Sequence, residues 1–174
     1  MVSSSRRIAL ASLFGVLILA IMGFVPAPTS DYLIVFQAFF LALSYLVVGR
    51  GGATYVGVVS GLLITIVKVG FFPYDLIFSL SFGAMVDGFG SAFHAKQGPR
   101  ANPWRLVACM TLSTGIIGLI AYYVTAVSIL KLVPDDFFLD LTVLVFGVVS
   151  GAIGGAVAAR LWNRNLMARF YGKY

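Results

Sequence analysis

Six apolar runs, parted by short stretches of charge, proline or glycine, constrain this chain more than any other feature. They extend from about Ile8 to Val25, Tyr32 to Val48, Ala53 to Val69, Pro73 to Phe93, Trp104 to Ile129 and Phe138 to Leu161. Each is near the length of about 20 residues that a helix needs to cross a hydrocarbon core about 30 Å thick. The breaks have physical causes. Pro26 and Pro28 end the first run, because proline lacks an amide donor and pushes the preceding residue out of helix. Gly49-Arg50-Gly51-Gly52 ends the second, and Pro73 suits the first turn of the fourth, where its missing donor costs nothing. The pattern predicts an all-α integral membrane protein, with residues 1–174 forming a single domain of six transmembrane helices.

Composition agrees. The 174 residues are 60% hydrophobic and 10% charged, against about 45–50% and about 25% in soluble domains, and the mean hydropathy is +1.01. One cysteine, Cys109, excludes an intramolecular disulfide, and one histidine, His94, leaves no Cys/His cluster for zinc or haem. With six Asp and no Glu, a carboxylate metal site is thinly supplied. Two alternatives stay open. The third and fourth runs, joined only through Gly70-Phe71-Phe72-Pro73, can form a re-entrant pair. Arg6-Arg7 followed by an apolar run also has the outline of a secretory signal, although that run exceeds the usual h-region of roughly 7–15 residues.

The net charge of +6 does not require a nucleic-acid partner once the cations are placed. With six spans the termini share a side, and that side holds Arg6, Arg7, Arg50, Lys96, Arg100, Arg105, Arg160, Arg164, Arg169 and Lys173, ten of the 12 basic residues. The positive-inside rule then puts both termini in the cytoplasm of a multi-pass cell-membrane protein. Asp31, Asp75, Asp135, Asp136 and Asp140 fall outside, with Lys68 and Lys131. Trp104 and Trp162 are expected at the inner interface as amphipathic anchors.

Small residues recur at helical spacing. Gly147, Gly151, Gly155 and Ala159 lie on one stripe, as do the pairs Ala11 with Gly15 and Ala84 with Gly88, and such stripes let helix backbones approach closely. Both intramolecular packing and docking of a partner fit them. Gly-Val-Val-Ser-Gly occurs twice, at 57–61 and 147–151, so either an inverted repeat of three-helix halves or a shared packing demand explains the echo.

Catalytic motifs are missing, and the chain is expected not to be an enzyme. Val58 and Val148 stand where a rhomboid-type serine protease has the glycine two residues before its nucleophile. Asp87 has no companion carboxylates of the kind that a phospholipid head-group transferase uses, and no P-loop is present to bind ATP. Asp87 is the one acidic residue deep in a span. It suits either a proton site or an ion pair with Arg50, Lys96 or Arg100. Lys68 is near enough to the outer end of its helix to snorkel to the surface or to meet an acidic substrate or Asp75.

The whole pattern resembles the substrate-binding S component of an energy-coupling factor (ECF) vitamin transporter. The likeness rests on six spans in this length, cytoplasmic termini, the opening Arg6-Arg7-Ile-Ala-Leu-Ala-Ser-Leu-Phe-Gly15, the Gly49–Gly52 turn and the loop from Ala95 to Pro103. The family's Ala-xxx-Ala docking motif appears here as Ala11-xxx-Gly15. The resemblance implies high-affinity capture of a vitamin-like small molecule outside the cell, without a cofactor or metal. It also implies association with a transmembrane coupling subunit and two cytoplasmic ATPases. Mapping the family's pocket onto this chain nominates Asp31 and Tyr32 in a lid loop and Asp75, Ser79 and Phe82 on the fourth helix. Tyr122 and Tyr123 on the fifth and Asp136 and Asp140 at the start of the sixth complete the set. Aromatic faces with carboxylates suit a planar, cationic or amino-bearing ring of the thiamine or hydroxymethylpyrimidine class.

Overall fold

A computed structural model of the chain describes residues 4–25, 33–68, 73–124 and 137–171. Six long helices account for most of them: α1 (Ser4–Ile18), α2 (Ile34–Val48), α3 (Gly52–Val67), α4 (Tyr74–Ala92), α5 (Pro103–Tyr122) and α6 (Phe137–Leu161). α1 runs on through a π-helical turn, Leu19–Gly23. Beyond α6 a second π turn, Trp162–Leu166, leads into α7 (Met167–Tyr171). Among the described residues three helical stretches are long and apolar enough to cross a membrane, Ser5–Gly23, Pro103–Tyr122 and Phe137–Tyr171, and α2 and α3 are shorter apolar helices. The protein is a helical membrane protein.

Cross-contacts fix the helix directions. Cys109 near the start of α5 donates to the Val86 carbonyl near the end of α4. Tyr123 just past α5 meets Asp140 at the start of α6, and Ser12 of α1 meets Tyr55 of α3. Successive helices therefore run up and down. α2 is the most enclosed, touching α1, α3, α4, α5 and α6, with Ala38, Leu41, Ala42 and Leu46 shut off from solvent. Large apolar side chains instead line the outside of the other helices, such as Ile66, Ile77, Val145 and Ile153, as lipid contact requires.

Glycine decides which pairs pack closest. A Cβ on Gly57 would strike the Ser79 carbonyl, and one on Gly83 the Ala53 carbonyl, so α3 and α4 touch backbone to backbone. A Cβ on Gly151 would lie 2.5 Å from the Met110 carbonyl and one on Gly147 2.9 Å from that of Thr114, which brings α6 equally close to α5. The stripe on α6 is thus consumed inside the molecule. The echoed pentapeptides do the same physical work in both places. They do it against different neighbours, α4 for the first and α5 for the second. A three-plus-three inverted repeat would pair α6–α5 with α3–α2, so shared packing demand is the better account of the echo.

Three sequence expectations change here. Ala11 is fully buried, and a Cβ on Gly15 would lie 2.7 Å from Val59 Cγ1, so this pair packs α1 onto α3 and presents no docking face. Ala84 and Gly88 are exposed, and among the described residues nothing lies within 4 Å of a Cβ on Gly88, so this pair does not set a close helix crossing there. The sixth run continues as helix to Tyr171 because neither proline nor glycine interrupts it after Leu161. The loop between α4 and α5 is a small antiparallel hairpin, Lys96–Gln97 paired with Arg100–Ala101, turning at Gly98 with φ +64°.

Candidate functional site

Both ends of the bundle carry polar side chains, arranged differently. At the end where α1, α3 and α5 begin lie Arg6, Arg7, Arg50, Lys96, Arg100, Arg105, Arg160, Arg164 and Arg169. There the α2–α3 turn brings two helix termini together. α3 starts at Gly52 behind Gly51, at φ +86°, with no capping side chain of its own. Its first amides would stay unpaired, and the carboxylate of Asp87 on α4 supplies the acceptors. Oδ2 accepts from the Thr54 amide at 2.7 Å and the Thr54 hydroxyl at 2.6 Å, and Oδ1 from the Ala53 amide at 3.3 Å. Asp87 is therefore an N-cap donated by a neighbouring helix. Among the described residues it forms no ion pair with Arg50, Lys96 or Arg100, and both of its oxygens accept hydrogen bonds from α3.

The end of α2 receives the complementary treatment. Lys96 Nζ donates to the Leu46 carbonyl, one of the last carbonyls of that helix, where a cation also suits the dipole. The ammonium lies 4.9 Å from the centre of the Trp162 ring and 5.6 Å from that of Tyr171. Burial pushes the Lys96 pKa below its ordinary value, with its hydrogen bond to Tyr171 opposing. Trp162 is fully buried and its Nε1 donates to the Pro99 carbonyl at 2.9 Å. Asn163 pairs with both backbone groups of Ala101, accepting at 3.0 Å and donating at 2.9 Å. Trp162 thus holds the hairpin to the final helix instead of anchoring the interface. Trp104 is 83% exposed, as an interface anchor would be.

The opposite end holds the nominated ligand residues. Asp75 lies in the first turn of α4, Tyr122 and Tyr123 at the end of α5, and Asp140 in the first turn of α6. The tyrosine rings meet edge to face at 6.0 Å. The Tyr123 hydroxyl donates to Asp140 Oδ2 at 2.6 Å, and Asp140 Oδ1 has no hydrogen-bond partner. Two nominees are corrected. Ser79 and Phe82 are buried, Ser79 directly against Gly57 and Gly61 at the α3–α4 crossing, so in this structure they pack between helices and line no open surface. Asp31, Tyr32 and Asp136 lie outside the described residues.

Asp87, Lys96 and Asn163 were not foreseen in these roles. A signal for Asp87 existed: a helix opening on Gly-Gly-Ala-Thr without its own cap needs an acceptor from elsewhere, and this is the one acidic residue deep in a span. The described residues contain no group of three or more His, Cys, Asp or Glu able to hold a metal ion. No family model matches the chain, and neither a curated protein nor a solved structure does so.

Proposed function

We propose that this protein is the membrane-embedded, substrate-binding S component of an ECF-type vitamin transporter, with six spans and both termini cytoplasmic. The observation that carries the reading is the Tyr123–Asp140 pair, whose second carboxylate oxygen is uncommitted at the end of the bundle away from the basic residues. Asp75 and Tyr122 lie at the same end, and carboxylate with aromatic groups suits a cationic or amino-bearing ring. Rings of the thiamine or hydroxymethylpyrimidine class have that chemistry. Energy would come from a separate coupling subunit and two ATPases, since the chain has no nucleotide-binding loop. Because Ala11 and Gly15 are used against α3, the coupling subunit would have to meet other parts of the surface.

An autonomous ion-coupled carrier is the main rival. It needs an acidic group free to exchange protons within the membrane, and Asp87 already accepts from three donors.

Calorimetric titration of the purified chain with thiamine, hydroxymethylpyrimidine and biotin, with no ion gradient, tests the proposal. Binding of one cationic or amino-bearing ring, weakened at least about tenfold by Asp140→Asn and unchanged by Asp87→Asn, is the expected result. Uptake by the chain alone that requires a proton gradient and is lost in Asp87→Asn would replace this reading with the carrier. Reporters after Tyr174 and between Lys96 and Arg100 should read cytoplasmic, and one at Asp135 external. An external C-terminus would remove the six-span topology.

A further inference from the structure

At the basic end, a groove of about 470 Å³ opens between the end of α4 and the start of α5, lined by Ala92, Phe93, His94, Trp104, Arg105 and Ala108. Three independent features meet there. The first is charge. Arg105 and, on the adjoining hairpin, Arg100 are exposed, and the nearest acidic side chain in sequence, Asp87, is already bonded to α3.

The second is strain. α4 ends in a Schellman-type turn in which the Ala95 amide donates to the Gly90 carbonyl at 2.9 Å and the His94 amide to Ser91 at 3.2 Å. Such turns place glycine at the left-handed position, yet here it is the chain's one histidine, at φ +50°. A non-glycine residue in that conformation is strained by its Cβ, and no core packing compensates because the side chain is exposed. Its Nδ1 lies 3.1 Å from the Ala92 carbonyl, which can only accept, so Nδ1 carries the proton. In the tautomer with the proton on Nδ1, Nε2 of this exposed ring is an acceptor open to a group outside the chain.

The third is continuity with the lipid-facing surface. Beyond Ala108, α5 presents Leu112, Ile116 and Ile120 outward at four-residue spacing, a stripe along a membrane-length helix. Trp104, beside the groove, has the amphipathic ring that belongs at the headgroup level.

We infer that the α4–α5 groove is a binding site for the headgroup of an anionic phospholipid. Arg105 receives the phosphate, His94 Nε2 accepts from a headgroup hydroxyl, Trp104 borders the headgroup, and the acyl chains lie along α5. Basic pockets between membrane helices are a recurring way to hold such lipids. The assignment depends on the helices crossing a membrane and is independent of any transported substrate.

The full-length chain, reconstituted in phosphatidylcholine vesicles containing graded amounts of brominated phosphatidylglycerol or brominated phosphatidylcholine, gives the test. Quenching of Trp104 fluorescence, with Trp104→Phe as the blank, yields the relative affinity for the two lipids. A phosphatidylglycerol preference is expected. It should fall about fivefold in Arg105→Gln and about threefold in His94→Gly, while Arg164→Gln, which removes an exposed cation away from the groove, keeps it. His94→Gly should also melt no lower than the parent, since glycine relieves the backbone. Equal quenching by both lipids would overturn the inference, as would an equal loss in Arg164→Gln or a full preference retained in His94→Gly. A preference abolished by sodium phosphate but not by sodium chloride of equal ionic strength would assign the groove to free phosphate and overturn the lipid.

Discussion

The two ends of this bundle spend their polar groups differently. At the basic end, Asp87, Lys96, Trp162 and Asn163 all bond to backbone: the start of α3, the end of α2, and the hairpin at Pro99 and Ala101. At the other end, Tyr123 and Asp140 bond side chain to side chain and leave a carboxylate oxygen over. Side chains that satisfy backbone donors and acceptors cannot leave without exposing buried polar groups, so the basic end is fixed. Side chains that satisfy one another can exchange that bond for one to a ligand at little cost. The contrast teaches that the deepest charge in a membrane helix need not be functional in transport. Asp87 is buried because a helix end beside it needs an acceptor.

The largest effect expected from breaking this contrast is at Asp87. Asp87→Ala removes a cap and strands two amides and a hydroxyl, which should cost about 2–4 kcal/mol of stability, read as a lowered midpoint in thermal or denaturant unfolding in detergent. Asp87→Asn keeps an acceptor oxygen and should lose less than half as much. If both variants unfold like the parent, the basic end is not the fixed end.

Next are the glycines that set the close crossings. Gly83→Ala drives a methyl into the Ala53 carbonyl and should destabilise by about 1–3 kcal/mol. Gly88→Ala, one and a half turns along the same helix and open on that side, should be neutral or stabilise by up to about 1 kcal/mol. The same unfolding assay reads both. Equal effects would mean that α3 and α4 are not held backbone to backbone.

At the opposite end, Tyr123→Phe should change stability by no more than about 1 kcal/mol, because the hydroxyl is partly in solvent, while weakening ligand binding in the calorimetric titration. Loss of fold in Tyr123→Phe would erase the distinction between the two ends.

The smallest effect is a pH dependence. Burial lowers the folded pKa of Lys96 below the 10.5 of an unburied lysine, so between those two values the unfolded chain binds more protons. Stability gained from this group therefore rises with pH across that window and levels off above about 10.5. Comparing unfolding of the parent and Lys96→Met across alkaline pH isolates it: the difference between them should shift toward the parent as pH rises. A difference independent of pH would mean that Lys96 keeps an ordinary affinity for its proton.

Much of the fold was legible because hydropathy and punctuation act locally. The six helices begin and end within a few residues of the apolar runs, except that the last continues to Tyr171 and that the end of the fifth run, at Ile129, lies outside the described residues. The candidate site was legible only in part. The family resemblance nominated Tyr122, Tyr123, Asp75 and Asp140 together with Ser79 and Phe82, and helical spacing alone did not separate the two groups, since which face of α4 meets α3 depends on where Gly57, Gly61 and Gly83 cross. Small-residue stripes were equally ambiguous: that on α6 is buried against α5, Ala11 and Gly15 pack against α3, and Ala84 with Gly88 is exposed among the described residues.

By itself, then, the amino-acid sequence determined that the chain is helical and membrane-embedded, where the helices lie, and that its basic residues gather at one end. Those properties follow from transfer free energy and backbone sterics, which are summed over neighbouring residues. Only the tertiary structure decided that Asp87 caps α3, that Lys96 caps α2, that Trp162 is buried while Trp104 is exposed, and that His94 sits strained in an open groove beside Arg105. Each of those outcomes depends on the rotation of one helix about its axis relative to another. A difference of a fraction of a turn moves a side chain from lipid to core, and only the packing of the partner helix sets that rotation.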